Sequence, residues 1–138
     1  VVVTGTYDLG KTPWATAISQ TSLLNDASSR FNEGLLVNIV DLGANVLYID
    51  AAYYVNLYTS SPGSYSFDNA TTPVCTSVDA GNGIGIGTGQ VNSALCTTAT
   101  LLPSANQNKY VFADAVYLTP SAHRQLGDYA YDRLRARW

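Results

Sequence analysis

Methionine is absent from the 138-residue sequence, histidine occurs once and cysteine twice. Charge is scarce too: 12% of residues are Asp, Glu, Lys or Arg, with 7 basic against 10 acidic side chains. No basic stripe is available to neutralise phosphates, which argues against a nucleic-acid partner. No apolar run approaches the ~20 residues of a membrane helix. A signal-peptide pattern is missing as well, and the chain opens on Val1-Val2-Val3 without a Met. That opening leads us to expect a mature or processed piece. Two Cys and one His cannot supply the usual four ligands of a structural zinc site. No metal or cofactor is expected.

What is present is 46% hydrophobic residues, enough to bury a core, in a length that fits one domain or a piece of a larger one. Low charge with abundant Tyr, Thr and Asn is the look of an exported protein. Cys75 and Cys96 are read in two ways. A bridge would close an otherwise floppy loop and contribute roughly 3 kcal/mol in the chain-entropy model. The alternative is a pair of reduced thiols in a cytosolic protein, and the bridge is the preferred reading because the loop gains most from closure.

Val1 to Thr4, β-branched throughout, reads as a buried strand. Gly5 to Pro13 reads as a loop with two glycines and a proline, at a strand end where open α/β sheets place their sites. Leu24, Ala27, Phe31, Leu35, Ile39 and Leu42 recur at helical spacing as one apolar stripe, with Gly43 as the helix cap. Val46 to Asp50 is a second buried strand, so the pattern is βαβ and favours a parallel sheet. Ala51 to Tyr58 reads as a short helix.

From Ser60 to Leu102 no period is visible, and a stretch of this length reads as a lid, a binding loop or disorder. Gly81, Gly83, Gly85, Gly87 and Gly89 alternate within it. A phosphate-cradling loop needs a preceding strand and a following helix. Neither is evident, so the run reads as a hinge or extended loop. Asn69-Ala70-Thr71 fits the short glycosylation pattern. Tyr110 to Ala113 reads as a last strand and Asp114 to Leu118 as a strand-to-helix loop. Thr119 is the expected N-cap and Pro120 the first residue of a closing helix. Ala122, Leu126, Ala130 and Leu134 mark its buried face.

Several blocks resemble the secreted GDSL (SGNH) lipases and esterases. Tyr7-Asp8-Leu9-Gly10-Lys11-Thr12-Pro13 is similar to that family's Pro-Asp-Leu-Gly-x-Thr-Pro loop. Val111-Phe112-Ala113-Asp114-Ala115-Val116-Tyr117-Leu118-Thr119-Pro120-Ser121-Ala122-His123 is similar to its last block, Asp-x-x-His-Pro-Thr followed by a helix. Phe31-Asn32-Glu33-Gly34-Leu35 resembles the family's helix, and Tyr65-Ser66-Phe67-x-Asn69 its Tyr-Gly-Phe-x-Asn loop. Cys75 falls where many bacterial members carry a cysteine. These pieces cover nearly the whole chain, and the branch resembled is autotransporter-like and phospholipase-like.

The resemblance implies the C-terminal half of a three-layer α/β/α, flavodoxin-like domain with parallel strands, spanning residues 1–138, with 60–102 as a lid-like insertion. It implies a secreted, cell-surface or periplasmic bacterial protein, an ester or lipid substrate, and peripheral contact with lipid. The family's Gly-Asp-Ser-Leu nucleophile block and its oxyanion donors have no counterpart here. The expected partner is therefore an N-terminal chain or segment that carries them.

Within the last block, Asp114 stands at the acid of the family's Ser-His-Asp triad. Three residues on, where the base belongs, stands Tyr117. A phenol with a pKa near 10 is a poor general base at neutral pH, although its ring could fill the place and donate to Asp114. His123 is the one substitute base. Its position matches a second, structural histidine of the family, and a helix-surface residue is its simpler reading. Asp8 and Gly10 are read as shaping a strand-end loop before lining a cleft. Asp50 is read as structural. Trp14, Tyr53 and Tyr54 are read as core aromatics before an acyl pocket.

Three functions follow as expectations: part of a secreted serine esterase, a non-catalytic binding module that kept the fold, or one half of a protein cut within a loop. In the last case a half sheet with open edges would be sticky alone.

Overall fold

The β-branched opening builds the sheet. In the computed structural model, which describes residues 1–138, Val2–Thr4 forms strand β1 and Leu47–Ile49 forms β2. They pair in parallel, Val2 opposite Leu47, Val3 opposite Tyr48 and Thr4 opposite Ile49. Parallel neighbours need a crossover. Helices α1 (Pro13–Ala17) and α2 (Thr21–Ile39) provide it. Helix α3 (Ala51–Ser60) follows β2 directly, and α4 (Pro120–Arg137) closes the chain. The protein is thus mixed α/β, with four α-helices and a two-stranded parallel sheet. No helix is long and apolar enough to cross a membrane.

Local chemistry sets the helix starts. Asp50, read as structural at a strand end, caps α3 and accepts from Tyr53 N at 2.9 Å. Thr119 caps α4, accepting from Ala122 N at 3.3 Å, and Pro120 occupies the first turn. A proline there sacrifices no helical hydrogen bond. Helix α1 starts at the last residue of the Gly5–Pro13 loop and has no sequence period to announce it. Thr12 caps it.

Helix α2 departs from its expected face. Its covered positions are Leu24, Ser28, Asn32, Leu35 and Ile39, whereas Ala27 and Phe31 of the apolar stripe are exposed, as is Leu42 beyond the helix. Leu24, Leu35 and Ile39 of the stripe do face inward, but Ser28 and Asn32 share that face because the neighbouring 5–11 loop offers backbone groups that need partners. Ser28 Oγ accepts from Leu9 N, and Asn32 both accepts from Thr6 N and donates to Thr6 O. Gly43 is not the cap of α2. It sits at φ 54° inside the 3-10 turn Val40–Asn45 that follows.

Tyr110 to Ala113 is not a strand. Its backbone makes only isolated bridges, Asn69 with Tyr110 and Phe112 with Leu118. The side chains are β-formers, but no neighbouring ladder is there to extend them. The segment instead becomes the floor of the core. Val111 and Phe112 join Val55, Tyr58, Phe67, Ala70, Leu118 and Ala122 in one buried cluster. On α4, Ala122 is fully buried, while Leu126, Ala130 and Leu134 are only half covered.

The 60–102 stretch is ordered by backbone hydrogen bonds rather than by a sequence period. Cys75 bridges Leu101 and Val78 bridges Val91, both antiparallel, so residues 75–101 run out and back as an irregular arm. Asn92 N donates to Ser77 O and Asp79 N to Gln90 O, each at 2.9 Å. A disulfide joins Cys75 to Cys96 at the base of this arm. The glycine run forms its tip, where Gly83, Gly85, Gly87 and Gly89 all have positive φ. L-residues rarely adopt that conformation, so the tip needs these glycines. Asp79 organises the tip, accepting from Gly81 N and Asn92 Nδ2, and these bonds hold its carboxyl below the usual range.

Candidate functional site

Asp114 lies just past the buried Val111–Ala113 floor and is 0% exposed. A carboxylate this deep requires hydrogen-bond donors on both oxygens. Its Oδ1 accepts from Val116 N at 2.9 Å and Tyr117 N at 2.7 Å, a turn in which the side chain captures the backbone just ahead of it. Its Oδ2 accepts from Ser93 N at 3.0 Å. All three donors are backbone N–H groups. Two come from the Asp114–Leu118 loop and one from the disulfide-closed arm.

The two sequence blocks that carried the resemblance meet here. Tyr7 Oη donates to Val116 O at 2.7 Å, and Trp14 N donates to Ala115 O at 2.9 Å. The Tyr7 phenol is pushed up to about 12, by burial first and then by the nearby Tyr117 and Asp114. Asp8 is buried and ties its own loop: Oδ1 accepts from Gly10 N, and Oδ2 from Asn25 Nδ2. Gly10 is pressed against α2, where an added Cβ would come within 2.5 Å of Thr21 O. Both residues therefore shape the loop. They border a shallow polar depression with Thr21, Ser22 and Asn25, apart from the groove at Tyr117.

Tyr117 is 48% exposed. Its link to Asp114 is the backbone N–H and not the phenol. The side chain borders an open groove of about 460 Å³ with Gly83, Ile84, Asn92, Ser93 and Ala94. His123 is exposed on the first turns of α4, where its N–H donates to Thr119 O at 3.0 Å. It borders a different cavity, about 410 Å³, with Cys75, Cys96, Ser93, Thr97 and Thr119. The structure thus brings Asp114 and Tyr117 together and puts His123 on another wall, with Ser93 common to both hollows.

The remaining aromatics pack against one another. Tyr54 stacks on Tyr129 with ring centroids 3.9 Å apart, and Tyr58 meets Tyr65 and Phe67 edge to face. Tyr53 is exposed, and Trp14 half-buried. Asn69 accepts from Thr71 N and Thr72 N, so its side chain closes a turn. No cluster of His, Cys, Asp and Glu of the kind that holds a metal ion is present.

Ser93 is the site residue that sequence reading missed. Its contribution is a main-chain N–H, which no side-chain motif can announce. Comparison of the sequence with protein-family models and with curated proteins finds no match.

Proposed function

We propose that the chain is the C-terminal portion of a three-layer SGNH-type domain whose complete form cleaves carboxylic esters, lipid esters included, through an acyl-enzyme. The observation that carries this reading is the junction of the two resembling blocks: Tyr7 Oη on Val116 O and Trp14 N on Ala115 O, beside the buried Asp114. The junction follows the C-terminal end of β1, where open α/β sheets bind their ligands.

On this reading a serine on an N-terminal segment attacks the ester carbonyl, a base takes its proton, and Asp114 orients that base. Tyr117 stands at the base's position and is a poor proton acceptor near neutral pH. The chain by itself is therefore inactive. The partner segment adds strands along β1 and covers Val2, Leu23, Phe31 and Val37, all exposed apolar side chains. The disulfide fits an exported, oxidising setting, in a bacterial periplasm or outside the cell.

The test joins this chain to its upstream region and assays a short-chain p-nitrophenyl ester, with and without Tyr117→His. Hydrolysis that appears or rises in Tyr117→His is the expected result. Two inert proteins would overturn the reading.

A second reading is a non-catalytic binding module, favoured by the half-exposed Tyr117 on the groove beneath the glycine tip. Labelling of an associated chain by a serine-directed fluorophosphonate would reject it.

A further inference from the structure

We infer that Ser93 is a positioning residue for Asp114, held in place by the Cys75–Cys96 bridge, so that the hydrogen bonding of the acid is open to control by a dithiol reductant. The inference rests on reading Asp114 as a hydrolase acid, but its test uses no ester, so the two can fail separately.

Three facts support it. The Ser93 N–H is the one donor to Asp114 Oδ2, and it comes from a segment 21 residues away in sequence. Ser93 opens the 3-10 turn Ser93–Leu95, and Cys96 N donates back to Ser93 O at 3.0 Å, so the bridge sits one short turn from the donor. At the other end of the bridge, Cys75 N donates to Ala113 O at 3.0 Å, next to Asp114 itself. The disulfide therefore ties the donor's segment to the acceptor's segment. Asn92 secures the far side of Ser93 through Ser77 O and Asp79. Those bonds, with Thr76 N on Thr100 O and Leu102 N on Val74 O, hold the two legs of the arm together, and the disulfide is the covalent tie between them.

The bridge is also reachable. Cys75 is buried and Cys96 half-buried, and both border the cavity of about 410 Å³. A dithiol's thiolate attacks the Cys96 sulfur, and the Cys75 sulfur leaves and takes a proton. The reductant's second thiolate then expels Cys96, which takes the second proton. The bridge gains two electrons, and the dithiol becomes a disulfide.

If bridge and hydrogen bond support each other, removing either must weaken the other by the same factor. Ser93→Pro deletes the N–H alone. The position is the first of a 3-10 turn, which suits proline, and Asn92 before it is extended at φ −118° and ψ 111°, as a residue preceding proline must be. Ser93→Ala keeps the N–H. The disulfide fraction is measured by thiol alkylation and mass spectrometry across a dithiothreitol redox series. A charge-assisted hydrogen bond predicts about tenfold easier reduction in Ser93→Pro, about 30 mV for this two-electron couple. Ser93→Ala should match the wild type. Asp114→Asn should move the same way as Ser93→Pro, and the double variant should add little more. A Ser93→Pro midpoint equal to the wild type would overturn the inference. In the unaltered protein, amide exchange at Ser93 should speed up at least tenfold on reduction, and unchanged protection would overturn it equally.

Discussion

Along α3, residues 65–74 and the Val111–Ala122 segment, the chain hides most of its apolar side chains, with Tyr53 and Tyr117 as the exceptions. Along α2 it shows most of them, Leu24, Leu35 and Ile39 being partly covered. Val55, Tyr58, Phe67, Val111 and Phe112 are each no more than 1% exposed, whereas Leu23, Phe31, Leu36 and Val37 are 62%, 58%, 43% and 71% exposed. The first region is held by burial. The second is held to the rest by polar bonds: Ser28 to Leu9, Asn32 to Thr6 and Asn25 to Asp8. The contrast teaches that hydrophobicity and burial are separable within one chain. A helix can dock through its polar residues while its apolar ones await something else.

The sharpest way to break this contrast is a matched pair of truncations. Phe112→Ala removes a fully buried ring and should cost about 3–5 kcal/mol in urea unfolding. Phe31→Ala should change stability by no more than about 0.5 kcal/mol, because its ring is already in water. A large loss at Phe31 in the isolated chain would mean that α2 is covered after all.

Next in size is Asn32→Ala. It strips the partners of both Thr6 N and Thr6 O and should cost about 1–3 kcal/mol. Faster amide exchange at Thr6, with the Phe67 and Phe112 region unaltered, would place the effect in the polar half alone.

An alkaline titration probes the buried side. Tyr7 and Tyr58 are both raised to about 12 by burial foremost. A raised folded-state value means that these groups' contribution is fully present below the unfolded value near 10. It is lost as pH climbs through about 12. Melting temperature should hold below pH 10 and fall steadily above it, and Tyr7→Phe should make that fall shallower.

An effect of small size and opposite sign is expected at Tyr58→Phe. The Tyr58 hydroxyl is buried without a hydrogen-bond partner, so deleting it should be neutral or stabilise by about 1 kcal/mol. A loss above about 1 kcal/mol would point to a partner that the hydroxyl finds in solution.

Legibility in the sequence followed the range of the forces involved. Thr119 and Pro120 announce the start of α4, because caps act over three residues. The βαβ pattern was legible from β-branched runs on either side of a long helix. The inner face of α2 was legible only in part, through Leu24, Leu35 and Ile39, since Ser28 and Asn32 are chosen by loop carbonyls and amides far away in sequence. Tyr110–Ala113 carried a strand's composition without a partner to pair with. The arm between Cys75 and Leu101 owes its order to main-chain bonds, which serine- and threonine-rich sequence leaves unmarked. At the site, Asp114 stood out through its block, while the Ser93 donor had no side-chain signature.

The bond from Tyr7 to Val116 spans 109 residues of sequence. Contacts of such separation are slow to form, because a long loop must close before they repay its entropy. A ribosome adds residues in order, so Tyr7 emerges long before its acceptor does. Until Val116 is made, the Tyr7–Pro13 loop has no anchor there, and the nascent chain displays α2 with its apolar side outward. The site can be assembled only once that acceptor has been made. A newly made chain is consequently most exposed to aggregation and to proteases in the interval just before that step.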